Sequence, residues 1–181
     1  EAVTISGNTT TAQLATIDDF TTGSITTGAE PGGNLIDTAA NLAASSIATL
    51  NAAVNITATT AATVAQATII ESATNSGTTT YGLGDTSANL AAAVSAVLNN
   101  AVNITVSDFT IAASTLNTID GYTSVVVDAS TVTTLLGSAS HIIVAYAANG
   151  ITGLGNEALT LSDTTIAAST LNILDGNTSG A

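Results

Sequence analysis

The chain has 181 residues, 45% of them hydrophobic, which is enough apolar material for an ordered core and argues against disorder through low hydrophobicity. It carries no Lys and no Arg against 13 Asp and Glu, a formal charge of −13, so it has no cation for phosphate and would be repelled by anionic lipid. This composition speaks against nucleic acid and membrane surfaces as partners, the absence of Cys removes disulfides and thiolate chemistry, and no apolar run reaches the ~18 residues of a membrane span.

The first thirty-three residues are irregular. Their pattern predicts a strand over Val3 to Ser6, a short helix over Thr10 to Phe20, and a loop over Ser24 to Gly33 around the single proline. We read 1–33 as an irregular N-terminal cap and 34–181 as one domain of repeats. Glu1 in place of an initiator Met suggests a processed chain or part of a longer one.

From Asn34 onward one pattern recurs: a short apolar strand, an Asp or Thr, then an Ala-rich helix. Leu35 and Ile36 lead to Asp37, with Leu42, Ile47 and Leu50 helical; Val54 and Ile56 lead to Thr59 or Thr60, with Val64, Ile69 and Ile70 behind. Leu83 leads to Asp85, with Leu90, Val94, Val97 and Leu98 behind. Ile104 and Val106 alternate with polar residues and lead to Asp108, with Ile111, Leu116 and Ile119 on one helical face. Val125 to Val127 lead to Asp128 or Ser130, with Val132, Leu135, Leu136, Ile142 and Ile143 behind; Leu159 and Leu161 lead to Asp163, with Ile166, Leu171 and Leu174 behind.

Two pairs of these segments are near copies. Ile104 to Ser124 (ITVSDFTIAASTLNTIDGYTS) matches Leu159 to Ser179 (LTLSDTTIAASTLNILDGNTS) at fifteen of twenty-one positions. Leu35 to Thr57 resembles Leu83 to Thr105 at most positions. Strands joined by helices in one sense pair in parallel through right-handed crossovers. The expected fold is therefore an α/β solenoid of six strand-helix repeats, with a closed α/β domain as the alternative.

Asp37, Asp85, Asp108 and Asp163 recur at the strand-to-helix junction, where a carboxylate would N-cap the helix that follows. Asp120 and Asp175, in Asp-Gly turns, together with Asp18 and Asp19, form a second row. Turn chemistry is its plainer reading, and calcium, which takes oxygen ligands, the sharper one; neither the EF-hand spacing nor a glycine-aspartate nonapeptide is present. No cofactor is required by any motif. Leu-Asn recurs near helix ends at Asn51, Asn99, Asn117 and Asn172, where a stacked Asn would bond backbone of the neighbouring repeat.

His141 stands alone without a second His or a Cys, no Ser sits in a nucleophile elbow, and Gly82-Leu83-Gly84 and Gly153-Leu154-Gly155 fit turns. Catalysis finds no support in these residues. What remains is the exposed strand face: Asn55, Thr57, Asn103, Thr105, Ser107, Thr160 and Ser162, a hydroxyl-rich surface suited to assembly with copies of the same chain or to a glycan.

The segments DTAANLAASSIATL, DTSANLAAAV and SDTTIAASTLNILDGNTSG resemble repeats of very large secreted or surface-anchored bacterial proteins, adhesin-like and calcium-associated repeat proteins of cyanobacteria and proteobacteria. The resemblance covers most of 34–181. It implies an extracellular, non-enzymatic role in adhesion, matrix or surface layers, exported without an N-terminal signal. The leading expectation is a structural protein that polymerises into a filament, sheath or layer; the alternative is an adhesin module that binds glycan, mineral or calcium.

Overall fold

A computed structural model describes residues 3–5, 7–20, 25–27 and 33–180. The protein is α/β: short strands alternate with short helices, and every strand pairing among the described residues is parallel. No helix among them is long and apolar enough to cross a membrane. The chain divides into two compact units, 1–83 and 84–181.

The first unit contains β1 (Val3–Ile5), β2 (Asn8–Thr9), α1 (Thr11–Phe20), β3 (Ile25–Thr27), β4 (Asn34–Asp37), α2 (Ala39–Ala44), α3 (Ile47–Ala52), β5 (Asn55–Ala58), α4 (Val64–Glu71) and β6 (Thr79–Thr80). Its sheet order is β2-β4-β5-β6, with β1 paired to β3. The N-terminal strand and helix fall where the alternating and helical patterns placed them. The expected loop over 24–33 contains β3, and Ser24 and Pro31 lie outside the described residues.

β7 (Leu83–Asp85) spans the division. The second unit continues with α5 (Ser87–Ala92), α6 (Ser95–Asn100), β8 (Ile104–Val106), β9 (Thr110–Ala112), α7 (Ala113–Tyr122), β10 (Val127–Asp128), β11 (Thr134–Gly137), α8 (Ala139–Ala147), β12 (Ile151–Thr152), β13 (Ala158–Leu161) and α9 (Ala168–Asp175). Its sheets run β7-β8-β10-β12 and β9-β11-β13.

Register sets a period. Asn8 pairs with Asn34 and Asn34 with Asn55; Ile104 pairs with Val127 and Val127 with Ile151; Thr110 pairs with Thr134 and Thr134 with Ala158. A strand therefore lies beside the equivalent strand one repeat away. Each unit has its own buried apolar residues: Leu35, Leu42, Leu50, Ile56 and Ile70 in the first, and Leu90, Leu98, Ile104, Leu116, Ile119, Val127, Leu135 and Ile142 in the second, all 0–1% exposed. Ala39, Ala67 and Ala113 are equally buried.

Several expected boundaries move. Asp108 does not lead directly into a helix: Thr110–Ala112 forms β9 first, since Ile111 and its neighbours pair with β11. Leu135 and Leu136 are strand rather than helix for the same reason, each paired on both sides. The helices expected after Asp37 and Asp85 each break in two, at Ser45-Ser46 and Ala93-Val94, where extended backbone ends one helix and caps the next.

Candidate functional site

Each helix begins with free backbone amides that need acceptors. Thr38, Ser46, Thr63, Thr86 and Ser138 stand at N-caps in extended conformation, and each hydroxyl accepts from the amide three residues on. Thr63 completes a capping box with Gln66, so the cap of α4 is neither Thr59 nor Thr60.

The carboxylates act across repeats. Asp108 accepts from the N–H of Ser87, the first residue of α5, and Asp163 accepts from Ala139, the first residue of α8, at 2.7 Å. Asp37 accepts from the amide and hydroxyl of Thr11 at the start of α1, at 3.0 and 2.7 Å. It also accepts from Thr38 N–H and Asn41 Nδ2 at the start of α2, both at 2.8 Å. The Thr60 hydroxyl serves Ala39 of α2 in the same way, at 3.1 Å. Asp85 holds its own helix through Thr86 N–H and Asn89 Nδ2.

The expectation that all four carboxylates cap the following helix is thus corrected for Asp108 and Asp163, which cap helices 21 and 24 residues earlier. β9 separates Asp108 from α7, and four residues separate Asp163 from α9. Parallel pairing instead brings each carboxylate beside the first amide of the preceding repeat. Burial would raise the pKa of Asp37, but hydrogen bonds from Thr11, Asn41 and Thr38 outweigh it and hold the carboxyl at about 2.

Asparagines form a second set of rungs. Asn34 Nδ2 donates to Asn8 Oδ1 at 3.2 Å, and Asn55 Nδ2 donates to Asn34 Oδ1 at 2.7 Å. Asn55 Oδ1 in turn accepts from the amide and hydroxyl of Thr78. The Leu-Asn positions behave as expected at three of four places: Asn51 Oδ1 accepts from Thr74 N–H, Asn99 Oδ1 from Ser124 N–H, and Asn117 Nδ2 donates to the His141 carbonyl, each one repeat away. His141 is exposed and its ring bonds Ser138 of its own turn.

Two tyrosines, Tyr146 half-buried and Tyr81 buried, close further gaps. Tyr146 donates to Glu157, which is fully buried and also accepts from Gly155 N–H. Burial and this hydrogen bond push the Tyr146 phenol up to about 12. Tyr81, fully buried, is shifted upward by burial and by Glu71 beside it.

The proposed strand face is divided. Asn55 and Thr57 lie in β5 of the first unit; Asn103, Thr105 and Ser107 lie in or beside β8; Thr160 and Ser162 lie in or just after β13, on a different sheet from β8. Thr57 stands in register between Ile36 and Thr80, Thr105 beside Asp128, and Thr160 beside Leu136. Asn55 is already engaged as a rung.

The Asp120 carboxylate lies against Gly150, while Asp175 and Asp19 are exposed on α9 and α1. The side chain of Asp18 lies outside the described residues. Among the described residues no three Asp, Glu or His side chains gather to hold a metal ion. No protein-family model matches the chain, and comparison with curated proteins and with solved structures gives no significant match.

Proposed function

We propose that the chain is an extracellular structural repeat protein, an α/β solenoid in which successive strand-helix repeats stack, and that it self-assembles into a filament, sheath or layer. The observation that carries this reading is the use of its polar side chains. Asp37, Thr60, Asp108, Asp163, Asn34, Asn51, Asn55 and Asn99 all bond one repeat to its neighbour. Such rungs fix spacing and register between repeats, which is what a scaffold requires. The absence of Lys and Arg, the residues at which trypsin-like proteases cut, suits an exposed polymer.

Electron microscopy of the purified chain at raised salt, with and without millimolar calcium, tests the reading. Ordered filaments or sheets are expected in both conditions. Formation only with calcium would return the exposed Asp residues to consideration as ligands, and uniformly monomeric particles would overturn the proposal.

A further inference from the structure

Thr110-Ile111-Ala112 and Thr165-Ile166-Ala167 are the same tripeptide at matching places in the two near-identical segments. The first is β9, and its pairing partner is β11 of the following repeat, Thr110 against Thr134 and Ile111 against Leu135. The second forms no strand. The helices behind them differ in the same sense: α7 lies against α5 and α6 on one side and α8 on the other, whereas α9 lies against α8.

Burial follows this difference. Ile111 is 3% exposed and Ala113 and Leu116 are fully buried; their counterparts Ile166, Ala168 and Leu171 are half-buried, exposed, and 42% exposed. β8 is paired along both edges and buries Ile104 and Val106, while its counterpart β13 pairs with β11 alone among the described strands and leaves Leu159 and Leu161 half-buried. Most of these residues are identical or alike, but Ala158–Leu161 stands beside β11 on the same sheet as Thr110–Ala112, so the place that β9 holds beside its following strand is held here by β13, whose other edge carries no strand among the described residues. The covered copy therefore shows what the open one accepts: a parallel strand that runs straight into a helix.

Resting on the self-assembly reading above, we infer that this face receives the first strand and helix of a second copy of the chain, β2 beside β13 and α1 against α9. The interior cover is β11, a capping Ser138, then α8. β2 has the same plan: Thr10 follows it, exchanges reciprocal bonds with Gln13 at 2.8 and 3.2 Å, and α1 begins. β2 pairs with β4 alone among the described strands, so its other edge offers backbone donors and acceptors to a preceding strand. Two different faces meeting in this way join copies head to tail rather than as a two-fold dimer. Each copy carries a charge of −13, so the joint forms when salt screens their repulsion.

Sedimentation velocity of the chain from about 0.05 to 1 M NaCl, with two variants, tests the joint. Ala168→Glu places a carboxylate in the first turn of α9, which favours the helix in the free chain but leaves a charge unpaired in the joint. Ile173→Glu adds the same charge on the same helix, at a place whose covered counterpart, Thr118, stays exposed. Wild type and Ile173→Glu are expected to polymerise as salt rises, and Ala168→Glu to associate about a hundredfold more weakly or not at all. Polymerisation of Ala168→Glu at wild-type strength would overturn this joint while leaving self-assembly standing. A wild-type chain that stays monomeric at every salt concentration would overturn both.

Discussion

The carboxylate of Asp108 caps the amide of Ser87, a residue 21 positions earlier and in the preceding repeat. The helix that begins at Ser87 is therefore completed by chain that follows it. Asp108→Ala is expected to destabilise the protein by about 1–2 kcal/mol in urea denaturation and to speed hydrogen exchange at Ser87. Unchanged exchange there, with loss of protection at the start of α7, would return Asp108 to a cap of its own helix.

Acid should act first on Asp37. Its folded pKa of about 2 lies below the ~3.9 of an unfolded Asp, so the unfolded chain binds the proton more readily. The stabilisation from its four hydrogen bonds is complete above about pH 4 and is lost as pH falls through the folded value near 2. Asp37→Asn should be less stable than wild type at pH 6, with the gap narrowing toward pH 2. A gap that stays constant across this range would show that charge at Asp37 contributes nothing.

Two glycines separate close packing from conformational freedom. A methyl at Gly77 would collide with the Asn55 side chain and the Val54 carbonyl, breaking the rung from Asn55 to Thr78, whereas nothing lies near a methyl at Gly121. Gly77→Ala is expected to cost about 1–3 kcal/mol. Gly121 lies in α7 with ordinary negative φ, and Gly121→Ala should stabilise by about 0.5–1 kcal/mol. Thermal melts of the pair check both signs.

Salt should raise the melting temperature of this protein. With 13 acidic residues, no Lys and no Arg, added ions screen repulsion and find almost no attraction to weaken. A melting temperature that rises steadily between about 0.05 and 0.5 M NaCl is expected, and a fall would point to attractive contacts that the sequence does not contain.

Much of the fold was legible because its repeats state their period openly. Alternating Ile104 and Val106, helical spacing from Leu116 to Ile119, and the strand-helix order gave parallel pairing without ambiguity of type. Boundaries failed where Thr-Ile-Ala and Leu135-Leu136 fit both periods and only a neighbouring strand decides. The same tripeptide is a strand in one copy and not in the other. The roles of Asp108 and Asp163 were hidden for a related reason: their partners lie one repeat upstream, and local capping signals point downstream. A signal was present, since the distance from Ser87 to Asp108 is itself one repeat.

The backward reach of these carboxylates gives the molecule a temporal direction. As the chain emerges N-terminus first, α1 waits for Asp37, α5 for Asp108 and α8 for Asp163 before its first turn is secured. Folding is then expected to trail synthesis by one repeat, and deletion of a whole repeat is expected to be tolerated better than deletion of a fraction of one, which would leave an earlier helix waiting for an acceptor that arrives out of step.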